Sequence, residues 1–80
     1  MRLRANKLKK GQIFKKVEFG TTQTYKVLNT NWTKDQYGEW RIYCELINST
    51  DKKLKSRVGE KFRPSFRMKN NLLGFVKLVR

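Results

Sequence analysis

The strongest constraint on the fold is a strict alternation of apolar and polar residues in the segment EWRIYCELIN, residues 39–48. Trp40, Ile42, Cys44 and Leu46 fall on one side of an extended chain, and the residues between them fall on the other. A period of two residues predicts a half-buried β-strand, because a helix would need apolar residues three and four positions apart. We therefore take this segment as the central strand of a β domain.

Four further segments have strand patterns, and turn residues separate them. They cover residues 11–19, 23–29, 52–59 and 74–79. This layout favours a mainly all-β fold, a small five-stranded antiparallel barrel, since closure removes exposed strand edges. A three-helix bundle is disfavoured, because no window between residues 13 and 47 keeps the apolar spacing of an amphipathic helix.

The second and third strands are predicted to form a long antiparallel hairpin. The residues that join them, 30–38, contain Asn31, Asp35 and Gly38, which favour a loop of several residues. The central strand ends at a polar turn, residues 48–51.

For two of the outer strands the sequence also predicts which residues are apolar and which are charged. The first strand takes its apolar residues from Ile13, Val17 and Phe19. In the fourth strand, residues 52–59, apolar and small residues alternate with cations, which predicts one buried face and one row of positive charge.

Pro64 interrupts the segment EKFRPSFRMKNN and is disfavoured in a central strand. We therefore expect Phe62 and Phe66 on an irregular stretch, an edge strand or a short helical turn near residues 60–69. On a helical turn the two Phe side chains would anchor the segment, and Arg63 and Arg67 would point outward.

Chain length and cysteine content limit the class of protein. With 80 residues the chain can build one modest core and no second domain. The single Cys44 excludes an internal disulfide, and the lack of His argues against a structural zinc site. No apolar run has the length of a signal peptide or a membrane span, so we expect a cytoplasmic protein without membrane insertion. We divide it into a flexible basic arm, residues 1–10, and one domain, residues 11–80.

Positive charge is concentrated in two blocks of the sequence. The chain has 20 Lys and Arg against 6 Asp and Glu, a formal net charge of +14, yet residues 18–48 are close to neutral. Such a distribution suits a polyphosphate, because each Lys or Arg that neutralises a phosphate releases condensed counterions. The residues predicted to contact nucleic-acid phosphates are Lys53, Lys55, Arg57, Lys61, Arg63, Arg67 and Lys69, with Arg2, Arg4, Lys9 and Lys10 from the arm.

Three aromatic residues are candidates for stacking on bases: Trp32, Tyr37 and Tyr43. The same side chains also suit the interior or the open end of a small barrel. The chain has no Gly-rich phosphate loop and no His, and the few acids in the hairpin lack further ligands for magnesium. We therefore expect no enzymatic activity, no cofactor and no metal.

The order of the segments KKGQIFKK, TYKVLN, EWRIYCELIN, KLKSRVGEKF and GFVKLV resembles small β-barrels of the Src-homology-3 type, many of which are encoded by phages and mobile elements of Gram-positive bacteria. The resemblance covers most of residues 11–79 and lies in layout, not in a motif. Members of this architecture include nucleic-acid binders, chromatin and ribosome modules and peptide-binding adaptors. The chain lacks the acidic loop of the peptide-binding members, which favours nucleic acid. A barrel of the OB type, with the same number of strands, is the alternative fold.

The sequence therefore predicts a non-enzymatic nucleic-acid-binding protein, of DNA or RNA, that contacts backbone phosphates with low sequence specificity. One alternative is a phage or mobile-element module that binds an acidic surface of a host protein. Another is a ribosome-associated protein that prefers structured RNA.

Overall fold

The computed structural model describes residues 3–79, and strands account for most of them. The antiparallel, mainly β fold predicted from the sequence is confirmed. Residues Ala5–Lys7 form a 3-10 helix, and Lys52–Lys55 form a short α-helix, α1. The strands are β1 (Leu3–Arg4), β2 (Ile13–Glu18), β3 (Thr21–Lys34), β4 (Trp40–Ser49), β5 (Lys61–Phe62), β6 (Ser65–Phe66), β7 (Met68–Lys69), β8 (Leu72–Leu73) and β9 (Val76–Leu78).

The strands form two antiparallel sheets. The larger sheet has the order β5-β4-β3-β2-β9, and β6 pairs with the same edge of β4 as β5. The smaller sheet has the order β1-β8-β7. In the part of the chain that the structure describes, β5 and β9 are the two end strands of the larger sheet.

The β3–β4 hairpin is present as predicted, but its strands are longer than expected. β3 continues to Lys34, so most of the predicted loop is strand, and three irregularities in register bend the pair. Asp35 makes the tight turn, since its Oδ1 accepts hydrogen bonds from the backbone N–H groups of Tyr37 (2.9 Å) and Glu39 (3.0 Å). Gly38, at φ 79°, supplies the left-handed residue that the turn requires.

The core lies on the inner face of the larger sheet and under the smaller one. The predicted inward face of β4 is confirmed at Ile42, Cys44 and Leu46. Burial raises the pKa of the Cys44 thiol to about 12, so this free cysteine stays protonated in the core. The buried apolar side chains are Ala5, Leu8, Phe14, Tyr25, Val27, Ile42, Cys44, Leu46, Phe66, Leu73 and Val76.

β2 buries the opposite face from the one that its apolar residues suggested. Phe14 and Lys16 point inward, whereas Val17 and Phe19 are exposed. Phe14 fixes this register because its ring packs on Tyr25, with centroids 5.5 Å apart. The buried Lys16 is tolerated because its Nζ lies 2.8 Å from Oε2 of Glu18.

The predicted fourth strand is wrong. Residues 52–55 form α1, because Oδ1 of Asp51 accepts from the backbone N–H of Lys53 (2.9 Å) and the Asp51 carbonyl accepts from Lys55 N–H (2.9 Å). Gly59, at φ 95°, then returns the chain to β4, where its N–H donates to the Leu46 carbonyl (2.8 Å). Lys53, Lys55 and Arg57 therefore do not form a row along a strand.

The segment around Pro64 is an interrupted edge strand, which was one of the predicted alternatives. β5 and β6 both pair with β4, and Pro64 lies between them, where its missing N–H breaks no ladder bond. The short helical turn near residues 60–69 is therefore wrong. Phe62 is half-buried and Phe66 is buried, so both still anchor the segment to the core.

The N-terminal segment differs from the predicted flexible arm, at least from residue 3 onward. β1 pairs with β8, and the Ala5 N–H donates to the Asn71 carbonyl at 2.8 Å. Leu8 is only 1% exposed. The segment is held on the domain because β8 offers a free edge with which β1 pairs, and because Leu8 is buried in the core.

Candidate nucleic-acid interface

The cations that the sequence singled out lie on the surface. Every one that the structure describes is exposed, whereas Arg2 lies outside the described residues. They occupy α1 and its following turn, β5 and the residues after it, the β6–β7 segment, and the N-terminal segment. The exposed set is Arg4, Lys9, Lys10, Lys53, Lys55, Arg57, Lys61, Arg63, Arg67 and Lys69.

Two of these arginines stack on aromatic rings beside β4, and we call this region the arginine edge (Tyr43, Arg57, Phe62 and Arg63). The guanidinium carbon of Arg57 lies 4.6 Å from the ring centroid of Phe62, and that of Arg63 lies 5.1 Å from the centroid of Tyr43. A stacked guanidinium loses rotational freedom, so it is preorganised for a phosphate. Arg57 also donates from Nε and Nη2 to the Glu60 carboxylate, which leaves Arg63 as the better placed of the two for an anionic ligand.

A charged network also fixes the start of β4, next to the arginine edge. Arg41 donates from Nε to Oδ2 of Asp35 (2.9 Å) and from Nη1 to the Arg63 carbonyl (2.7 Å). The hydrogen bond from Arg41, followed by the backbone bond from Glu39, holds the pKa of Asp35 below its ordinary value. Asp35 is therefore committed to the turn and to Arg41. Within residues 3–79 no group of three or more potential metal ligands comes together.

The three aromatic residues predicted to stack on bases lie in different surroundings. Trp32 is half-buried and packs edge-on against Phe66, with centroids 5.4 Å apart. Tyr43 is half-buried and lies under the Arg63 guanidinium. Tyr37 is 81% exposed on the β3–β4 turn. Of the three, Tyr37 alone presents most of its ring to solvent.

Sequence reasoning missed a second aromatic site. Phe19 is 98% exposed and Phe75 is 75% exposed, although both were assigned to strands. They line one hollow of about 460 Å³ together with Arg67, and we call it the phenylalanine groove (Val17, Phe19, Arg67 and Phe75). A neighbouring hollow of about 420 Å³ shares Val17 and Phe75 with the groove.

Both phenylalanines have left-handed backbone conformations. Phe19 (φ 50°) and Gly20 (φ 78°) form the two-residue turn between β2 and β3, a position that favours Asn followed by Gly. Phe75 (φ 60°) precedes β9, and its carbonyl accepts a 3.0 Å hydrogen bond from the Val17 N–H. This conformation is costly for a bulky side chain, so the fold holds both rings outward at some expense in stability.

Cations flank the phenylalanine groove. Lys15 on β2 lies directly opposite Lys77 on β9, both are exposed, and both line the neighbouring hollow. Arg67 lines the groove itself. Two carboxylates are present as well: Glu18, which pairs with Lys16, and Glu39. The groove thus combines exposed rings, cations at its rim and two acids.

One signal in the sequence could have revealed this site. Phe19 precedes Gly20 at a predicted turn, where a large apolar side chain has no buried neighbour to pack on. The placement of Phe75 beside it depends on the pairing of β9 with β2, which no local pattern shows.

No protein-family model, curated protein or solved structure matches this chain. Among residues 3–79, neither helix has the length and apolar character needed to cross a membrane.

Proposed function

We propose that this protein is a non-enzymatic nucleic-acid-binding protein that contacts backbone phosphates with low sequence specificity. The proposal rests on one observation. Ten of the residues predicted to contact phosphates lie in the part of the chain that the structure describes, and all ten are exposed. Of these ten, only Arg57 forms a salt bridge within residues 3–79, to Glu60 at 3.2 Å. The other nine are available to an anionic partner.

The electrostatic cost of folding such a basic chain supports the same proposal. A net charge of +14 on a chain of 80 residues disfavours the compact state through mutual repulsion. A phosphate chain relieves this repulsion and gains the entropy of released counterions. At the arginine edge, Arg63 adds a preorganised guanidinium group to this general attraction.

We also propose that the larger sheet curls into a small barrel of the Src-homology-3 type, with the OB type as the alternative, and that the protein acts in the cytoplasm of a cell that hosts a phage or mobile element. The register irregularities of β3 support a strongly bent sheet.

Fluorescence anisotropy with labelled single-stranded DNA, duplex DNA and RNA, each titrated at several salt concentrations, tests the proposed function. We expect binding to weaken steeply with salt. The double variant Lys53→Gln, Lys55→Gln should reduce the slope of log K against log salt for duplex DNA by about 1.8, because about 0.9 is lost for each phosphate contact.

The matched control is Lys26→Gln with Lys34→Gln, which removes the same charge from the near-neutral β3–β4 hairpin. We expect it to change the slope much less. An equal change in both variants would contradict a localised phosphate surface. Absence of binding to all three probes at low salt would contradict the proposed function and would favour an acidic protein surface as the partner.

A further inference from the structure

We propose that the phenylalanine groove is a stacking site for unpaired bases, which makes single-stranded nucleic acid the substrate class. This inference rests on the proposed function and adds to it. The phosphate contacts argued above do not distinguish one strand from two, whereas a stacking site does, because the faces of bases are covered in a duplex.

The first argument is the unfavourable state of Phe19 and Phe75 in the free protein. Phe19 is almost fully in water and Phe75 is three-quarters exposed, and both residues adopt the left-handed conformation that bulky side chains avoid. Nothing in residues 3–79 packs on the Phe19 ring to offset this cost. A flat apolar ligand that covers the rings would offset it, and every nucleic-acid base has two such faces.

The second argument is the position of the cations. Lys15 and Lys77 form a cross-strand pair of like charge, an arrangement that destabilises a sheet unless an anion lies between the two ammonium groups. Because Phe75 and Val17 line both hollows, a base on the rings would leave its phosphates near this pair. Arg67, which lines the groove itself, offers a further phosphate contact.

The third argument concerns the carboxylates, and it separates bases from other flat or apolar partners. Glu39 and Glu18 line the groove, so an acyl chain or an apolar peptide would bury them against hydrocarbon. An unpaired base presents donors at its edge, an exocyclic amino group in adenine, guanine and cytosine and the N3–H group in thymine and uracil, and a carboxylate accepts hydrogen bonds from such donors. The acids also keep phosphates out of the groove and at its lysine rim.

The test uses variants that relieve the backbone conformation while they remove the rings. Asn accepts left-handed φ values better than other residues with a side chain, so Phe19→Asn with Phe75→Asn should fold at least as well as the wild type. Circular dichroism and a thermal melt check this. The matched control is Ile47→Asn, which removes an exposed apolar side chain from β4, outside the groove.

Three probes separate stacking from phosphate contact: a labelled oligothymidylate, an abasic oligomer of the same length, and a duplex. We expect the wild type to bind the oligothymidylate more tightly than the abasic oligomer. The double Asn variant should lose about five- to fiftyfold in affinity for the oligothymidylate, given the usual strength of stacking on one or two aromatic side chains, and should bind the abasic oligomer as the wild type does. Ile47→Asn should bind all three probes as the wild type does.

Several outcomes would overturn the inference. If the double Asn variant binds oligothymidylate as tightly as the wild type, the groove is not a stacking site, although the proposed function stands. An equal loss in Ile47→Asn would show that any exposed apolar side chain contributes. Loss of binding to phosphatidylserine vesicles, or of self-association in sedimentation, with oligothymidylate binding unchanged, would assign the groove to a membrane or to a second copy. Failure of the wild type to bind any probe would overturn the proposed function itself.

Discussion

At the scale of single residues, a few side chains have a backbone conformation or a degree of exposure that their residue type normally avoids. Phe19 occupies a turn position that suits Asn, and Phe75 repeats the left-handed conformation next to it in space. Lys16 is buried where an apolar residue would be expected, and it is compensated by Glu18. Such local conflicts concentrate at functional sites, and here they lie around one groove.

The strain at Phe19 leads to a prediction about stability. Phe19→Asn alone should raise the free energy of unfolding by about 1 kcal/mol, because it removes the cost of a bulky residue in the left-handed region. Urea denaturation followed by circular dichroism measures this. Val17→Asn is the control: it replaces an exposed apolar residue in extended β2, where Asn is unfavourable, and should lower the stability. A loss of stability in Phe19→Asn would contradict the strain argument.

Asp35 leads to a prediction about pH. Its folded pKa is held below the unfolded value, mainly by the hydrogen bond from Arg41, so the ionised carboxylate stabilises the fold. That contribution is present above the unfolded pKa of an aspartate and is lost as pH falls through the lowered folded pKa. The urea midpoint of the wild type should therefore drop in this acidic range. Asp35→Asn should show a smaller drop there, and an unchanged drop would mean that other carboxylates cause it.

At the scale of elements, the sequence predicted what a strong local pattern determines. The alternation of Trp40, Ile42, Cys44 and Leu46 gave the buried face of β4, because only one face of that strand is consistently apolar. In β2 both faces contain apolar residues, and the pairing of Phe14 with Tyr25 decided between them. The pattern of residues 52–59 suited a strand, but the Asp51 cap and the turn at Gly59 produced α1.

The cap of α1 can be tested directly. Asp51→Ala should lower the free energy of unfolding by about 1 kcal/mol, because it removes the acceptor for the Lys53 N–H at the start of the helix. Asp51→Asn keeps a side-chain oxygen at the same place and should cost less. Thermal or urea denaturation of the three proteins provides the comparison, and equal losses in both variants would argue against a capping role.

The candidate site likewise has one part that the sequence predicted and one part that it did not. Exposure of the cations follows from their chemistry, so the sequence located them even where it assigned the wrong element, as at Lys53 and Lys55. The phenylalanine groove does not follow from composition. It exists because a turn after β2 and a bend before β9 meet through the bond between Val17 and Phe75, which is a property of tertiary pairing.

At the scale of the whole molecule, charge should govern stability as well as binding. The positive charges repel one another in the folded state, and added salt screens this repulsion between exposed charges that lie more than about a Debye length apart. The melting temperature should therefore rise with sodium chloride. The Lys53→Gln, Lys55→Gln variant has a net charge of 14 − 2 = +12 and should show a smaller rise. A melting temperature that does not depend on salt would mean that repulsion is already relieved within the fold.

The pairing of β9 with β2 also determines when the phenylalanine groove can exist. β2 and β3 are neighbours in the chain and can pair early, whereas β9 lies near the opposite end and pairs with β2 only after the intervening chain has been made. Phe19 belongs to the early hairpin and Phe75 to the late strand. The lysines and arginines can attract a polyanion before β9 pairs, whereas the groove can bind a ligand only after β9 has paired with β2.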